Sequence, residues 1–172
     1  MSDSENIVQL RNIDRDDAKV LMELNNSLEI SRFVVVTPKA VTYNQQLDWM
    51  DNIKHEKNTI RWMITWNDIT VGTIILSNID KINCVGNMNI KLLPLYHGKG
   101  IAQKALSKAC ILAFEQYDLY CLTAHILEYN HNSQRLFERV GFKQEGILRG
   151  RVLKEGKRYN LISYSLIEPE WK

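Results

Sequence analysis

The chain has 172 residues, which suits one domain of ordinary size that buries its own core without disulfide or metal staples. Hydrophobic residues make up 45% and charged residues 24%, and 22 basic side chains against 20 acidic ones leave a net charge of +2. That balance excludes a disordered chain and argues against a nucleic acid or an anionic membrane surface as partner. The start, MSDSENIVQL, lacks the basic and apolar regions of a signal peptide, and no run approaches the roughly 20 apolar residues of a membrane span. A cytoplasmic location is expected.

Val8 to Arg11 reads as a short strand. Asp14 then caps a helix whose first turn carries Asp16 and Asp17 and whose apolar side is Ala18, Leu21, Met22 and Leu24. Thr42 caps a second amphipathic helix to Ile53, with Leu47, Trp49, Met50 and Ile53 on one side. The period then changes. Ile60 to Trp66 and Thr70 to Leu76 are β-rich around a tight turn at Asn67-Asp68, which predicts a hairpin. Asn83 to Leu93 alternates, with Met88, Ile90 and Leu92 on one face and Asn87, Asn89 and Lys91 on the other. Past Pro94 the chain turns through YHGKG into a helix from Ile101 to Tyr117, a strand from Leu119 to Leu127, and a helix from Asn132 to Val140 that Gly141 ends. Phe142 to Leu153 and Tyr159 to Ile167 are the last two strands, joined through Glu155-Gly156. Seven strands and four helices in this order, without repeat or linker, predict one α/β domain of the α+β type spanning residues 1–172. Its mixed, mostly antiparallel sheet of six to seven strands is flanked by about four helices.

Cys84, Cys110 and Cys121 are odd in number and lack a C-x-x-C spacing, so free thiols are expected. His55, His97, His125 and His131 make no ligand set with them, and no metal is expected.

The chemistry-bearing segment is Tyr96-His97-Gly98-Lys99-Gly100-Ile101-Ala102, between a strand and a long helix. The first N–H groups of a helix have no internal partner and sit at its positive end. Glycines there let the main chain approach a phosphate or pyrophosphate. Walker A is absent, because no Ser or Thr follows a Gly-Lys pair, and Gln103 stands where a Rossmann fingerprint needs its third glycine. Taken alone, the loop also reads as a tight turn before an ordinary helix.

Pro94-Leu95-Tyr96-His97-Gly98-Lys99-Gly100-Ile101-Ala102 resembles the pyrophosphate motif of the GNAT acetyltransferase superfamily, with His97 where the family carries Gln or Arg. Asn130 to Phe142, with Ser133, Leu136 and Gly141 in place, is similar to the family's second signature. The ending Glu145-Gly146-Ile147-Leu148-Arg149, the following hairpin and Glu170-Trp171 resemble the branch of ribosomal-protein N-terminal acetyltransferases, to which polyamine and nucleotide-sugar enzymes are related. The resemblance runs from Leu10 to Trp171.

It implies an N-acetyltransferase that moves an acetyl group from acetyl-coenzyme A to a primary amine of a small molecule, an amino sugar or a protein N-terminus, without a metal. Main-chain groups around Ile90, Leu92 and Leu93 would meet the pantetheine arm. His97, Gly98, Lys99, Gly100, Ile101 and Ala102 would hold the pyrophosphate, with Asn130, Ser133 and Arg135 on the coenzyme side. Asn130 also reads as a plain turn or cap residue. Two departures stand out. Asn87 and Asn89 occupy positions where many members carry a carboxylate, and Phe137 replaces a tyrosine that donates a proton. His125 is the best remaining base, its ordinary pKa of about 6.5 suiting proton abstraction, with a backbone-satisfied histidine as the plain reading. Glu128 is the alternative carboxylate, and Tyr129 and Tyr96 are candidate acids.

The basic stretch Arg149, Arg151, Lys154, Lys157 and Arg158 reads either as a solvated hairpin tip or as recognition of an acidic acceptor. The Glu29 to Tyr43 region is apolar and short of acids, which argues against polyamines. The resemblance also allows a homodimer. The same departures leave open a coenzyme-A-binding regulatory module with weak or no transferase activity.

Overall fold

The computed structural model describes residues 6–171. The first five residues of the polar start, read above as lacking a signal peptide, lie outside them. Seven strands form one sheet in the order β1-β2-β3-β4-β5-β7-β6, with β1 at Val8–Asn12, β2 at Ile60–Trp66, β3 at Ile69–Asp80, β4 at Val85–Leu92, β5 at Cys121–Leu127, β6 at Lys143–Lys154 and β7 at Lys157–Ile167. Every neighbouring pair is antiparallel except β4 and β5. Five helices cover the sheet: α1 at Ala18–Asn26, α2 at Leu28–Ser31, α3 at Tyr43–Asn52, α4 at Ile101–Glu115 and α5 at His131–Val140. The expectation of about four helices omitted α2. It is one turn long, and what marks its start is Ser27, whose side chain accepts the Ile30 N–H.

The turns follow their residues. Asn67 and Asp68 both take positive φ, as a two-residue hairpin with right-handed twist requires. Glu155 and Gly156 do the same between β6 and β7. Strand β3 runs on to Asp80, beyond the expected Leu76, because β4 continues to pair with it.

The main core lies between the sheet and α4 with α5. Ala105, Ala109 and Ala113 have small side chains that let α4 lie close on Ile74, Leu76, Met88, Leu122 and Ala124, all of them buried. On the opposite face α1 and α3 pack Ala18, Leu21 and Met50 against Met63 of β2. The capping box at Asp14 and Asp17 starts the helical segment, and buried Asp17 receives both guanidinium nitrogens of Arg11 at 2.6 and 2.7 Å. Among the described residues no helix is long and apolar enough to cross a membrane.

One feature of the sheet positions the site. The parallel pair β4–β5 holds only from Val85↔Cys121 to Asn87↔Thr123. Beyond that, β4 keeps its bonds to β3 as far as Leu92, and β5 keeps its bonds to β7 as far as Leu127. The two strands part company at the centre of the sheet.

Candidate active site

The parting of β4 from β5 leaves main-chain groups without sheet partners, and side-chain contacts show which ones. Gly86 turns its carbonyl to the Thr123 hydroxyl of β5, whereas Asn87 turns its own to Ser77 of β3. Leu93 donates its N–H to Val71 of β3 at 2.9 Å. Odd positions therefore bond to β3, and the even positions Met88, Ile90 and Leu92 point toward the β5 side. There the pairing has ended, so Ile90 presents a donor and an acceptor to the gap. Leu92 does so too, but its carbonyl accepts from His97 Nε2 at 3.0 Å. A carbonyl only accepts, so Nε2 carries the proton.

That bond ties the glycine loop back to the strand before it. The loop then passes through Gly98 at φ +73° and Gly100 at φ +74°, a region that other residues rarely enter. Gly100 is the N-cap of α4 and offers no side chain, and the first helical bond to it comes from Lys104. The N–H groups of Ile101, Ala102 and Gln103 thus have no partner within the helix. A cleft of about 550 Å³ opens on them, lined by Ile90, Leu92, His97, Gly98, Lys99, Gly100, Ile101, Ala102, Asn130, Ser133 and Arg135 among others. The strand edge and the helix end lie on its wall together. Losing the His97 tether should let the loop drift from the strand. We expect His97→Ala to weaken coenzyme A binding about tenfold by calorimetry, and unchanged binding would make the tether dispensable.

Asn130 caps α5, its Oδ1 accepting the Ser133 N–H at 3.2 Å while Nδ2 reaches the Phe33 carbonyl at 3.5 Å. It is thus a cap residue that also lines the cleft. Arg135 is braced by Asn132 at 2.7 Å. Arg139 lines the cleft and was missed by sequence reasoning, although its signal was present: it stands one turn beyond Arg135, on the same side of α5. Lys99 also lines the cleft, and its ammonium lies 5.4 Å from the centre of the Trp66 ring.

Several expected residues take other places. Leu93 gives its N–H to β3 and buries its side chain with Leu24 and Ile30, so it has no main-chain donor for a ligand. Tyr129 has its hydroxyl proton on the Arg32 carbonyl at 2.6 Å and its ring between Phe33 and Tyr159. Its proton is thus engaged as a brace, and burial, with Tyr159 and Glu155 adding to it, holds the phenol above its ordinary value. His125 is exposed and outside the cleft lining, on the sheet face of Thr123, whose hydroxyl meets Asn87 at 3.2 Å. Glu128 accepts from the N–H and Nδ2 of Asn160 and joins the end of β5 to β7. Phe137 is buried against Phe142 and faces the core. Lys154 donates to Ser31 and Thr37, so the basic hairpin is partly tied to the segment around α2. The three cysteines are unpaired, and burial pushes the Cys110 thiol up to about 12. Among the described residues no three His, Cys, Asp or Glu side chains cluster as a metal set.

A strand edge opened by splaying, together with an uncapped glycine-entered helix, can pair an amide-containing arm and receive phosphates at its end. Residues 8–143 match the family model for the acetyltransferase (GNAT) domain. The chain belongs to the GNAT acetyltransferase family. It is accordingly an acetyl-coenzyme-A-dependent N-acetyltransferase.

Among its relatives, a putative ribosomal N-acetyltransferase of Bacillus subtilis, YdaF, is 27% identical over 96% of this chain and 93% of its own length. The spermidine N(1)-acetyltransferase of Escherichia coli is 23% identical over 95% and 88% respectively. The crystal structure of a spermidine N-acetyltransferase from Vibrio cholerae, in complex with CoA and spermine, superimposes with a TM-score of 0.89 at 21% identity, covering 95% of this chain and 96% of that one. This GNAT chain therefore shares the fold of a structure that holds coenzyme A.

Proposed function

We propose that this GNAT protein acetylates a primary amine carried by a small molecule, an amino sugar or a protein N-terminus, with the splayed cleft as its active site. The observation that carries the reading is the joint position of the free strand edge at Ile90 and the uncapped N-terminus of α4 on one cleft wall. Bound acetyl-coenzyme A supplies an acyl thioester; an unprotonated amine attacks its carbonyl, the C–S bond breaks as the amide forms, and the departing thiolate takes up a proton as the amine loses one.

In this reading Ile90 and Leu92 hold the pantetheine through main-chain groups, as an added strand would. His97 keeps the loop in place while Gly98, Lys99, Gly100, Ile101 and Ala102 take the pyrophosphate. Ser133, Arg135 and Arg139 line the α5 side, where arginine forks suit phosphate oxygens. Asn130 sets the start of that helix. Catalysis rests chiefly on positioning, because Phe137 carries no hydroxyl and Tyr129 is engaged elsewhere. His125 shares a sheet face with Asn87 and Asn89 and is assigned the amine proton through water. His125→Ala should lower turnover about tenfold with coenzyme binding intact, and unchanged turnover would remove His125 from the mechanism. The protein is proposed to act in the cytoplasm, and a homodimer is checked by light scattering.

The test is thiol release from acetyl-coenzyme A over a panel of polyamines, amino sugars, nucleotide amino sugars and peptides with different N-termini, with mass spectrometry on the products. Release that depends on one acceptor class supports the reading. Tight coenzyme binding with no release from any amine would favour a regulatory module, for which the buried, hydroxyl-free Phe137 already speaks.

A further inference from the structure

Lys91 stands between the two residues assigned to the pantetheine, and its side chain leaves the strand on the other sheet face. The alternation places it with Asn87 and Asn89, and its cross-strand partner on β3 is Thr73. Thr73 commits its hydroxyl proton to the Trp62 carbonyl at 2.9 Å. Among the described residues Lys91 has neither a hydrogen bond from its ammonium nor an ion pair. Yet it is half-buried, and it lines the cleft together with Ile30, Phe33 and Val34 from α2 and the turn after it. Desolvation lowers its pKa from the ordinary lysine value.

The charges around this cleft are uneven. Glu29, exposed on α2, is the one carboxylate in the lining, and Lys99, Arg135 and Arg139 are cations at the loop and α5 end. His97 is tied to the strand. A cation held in an apolar wall without a counter-charge gains most from an anion brought to it, and it repels a second cation more strongly than it would in water.

We propose that Lys91 is a specificity-determining residue, which selects an amine acceptor that also carries an anionic group and turns away polycations such as spermidine. This rests on the transferase reading above. The anionic group, a carboxylate or a phosphate, pairs with the ammonium and leaves the acceptor's own amine facing the gap between β4 and β5. Apart from the exposed Glu29, the apolar wall around Ile30, Phe33 and Val34 offers a polyamine no carboxylate to replace its water.

The test is a binding measurement that needs no turnover. With coenzyme A present, calorimetry compares ω-amino acids from glycine to 6-aminohexanoate with their amides, which lack the anion, and with spermidine. At least one amino acid should bind about tenfold tighter than its amide and than spermidine. Lys91→Met should abolish that difference, and Lys91→Arg should keep most of it. An unchanged circular dichroism spectrum and thermal midpoint in each variant show that it is folded. Equal binding of acid and amide, preference for spermidine, or undiminished discrimination in Lys91→Met each overturns the proposal. So does acetylated Lys91 on mass analysis after incubation with acetyl-coenzyme A alone, since the side chain would then be a neutral nucleophile. Failure of the transferase reading is separate: no amine would be acetylated in the thiol-release panel, whereas the acid-to-amide comparison needs no turnover and would still report on Lys91.

Discussion

Replacing Gly100 with valine is expected to weaken coenzyme A binding about a hundredfold, close to 2.7 kcal/mol. Gly100 sits at φ +74° as the N-cap of α4. A Cβ there meets nothing within 4 Å, so crowding inside the protein is not the obstacle. The obstacle is conformational. A left-handed backbone costs an L-residue roughly 1–2 kcal/mol, and a β-branched residue tolerates it worst. Relief of that strain turns the loop, and the loop aims the N–H groups of Ile101, Ala102 and Gln103 into the cleft. The new side chain also projects into open space at the loop. Calorimetric titration with coenzyme A, alongside chemical denaturation, separates the two effects. Gly156 is the control. Its φ is +77° and a Cβ there is equally free of contacts, but it lies in the β6–β7 turn. Gly156→Ala should show a stability loss of about 1 kcal/mol with binding unchanged. Normal coenzyme affinity in Gly100→Val would mean that phosphates are not held at this helix end.

Gly72→Ala is expected to damage both stability and binding. Gly72 faces Leu92 across the β3–β4 ladder. An added Cβ would lie 2.3 Å from the Lys91 carbonyl oxygen, 2.6 Å from Leu92 Cδ2 and 3.0 Å from Leu92 Cα. Two of these atoms are main chain and cannot rotate aside, so β4 must move. Overpacking of this kind costs typically 1–3 kcal/mol, and the rigid neighbours put this case near about 3 kcal/mol. For a domain of this size that lowers the thermal midpoint by about 6–12 °C. The displaced atoms belong to the strand that presents Ile90 and Leu92 to the cleft, so coenzyme affinity should fall with stability. Gly86→Ala is the informative comparison, because its Cβ would meet Leu76 Cδ1 at 2.6 Å and Leu119 Cδ1 at 3.0 Å, both side-chain ends that can shift. It should be the milder change in both measurements. Equal losses in the two variants would mean that β4 yields more easily than its place in the sheet implies.

Much of this molecule was legible in the sequence because the signals were local. Period-two alternation marked β4, a turn pair with tolerance for positive φ marked the β2–β3 hairpin, and caps at Asp14 and Thr42 marked helix entries. Two ordered motifs, at residues 94–102 and 130–142, pointed to the family. Element ends drifted by a few residues where a neighbour strand extended or withdrew pairing, as for β3.

The site itself was less legible. The sequence placed Ile90, Leu92 and Leu93 together as candidates, yet only the pairing with β3 shows that Leu93 turns its N–H away while Ile90 turns toward the gap. Tyr129 carried a plausible acid until the segment after α2 came back, roughly a hundred residues distant in sequence, to accept its proton. Lys91 read as one polar residue on an alternating strand until α2 and its following turn lined the same cleft with it. By itself the sequence determined the order and type of the elements and the glycine entry to α4, since these depend on side chains a few positions apart. Only the tertiary structure decided where β4 leaves β5 and which groups face that opening, since that depends on hydrogen bonds between strands far apart in the chain.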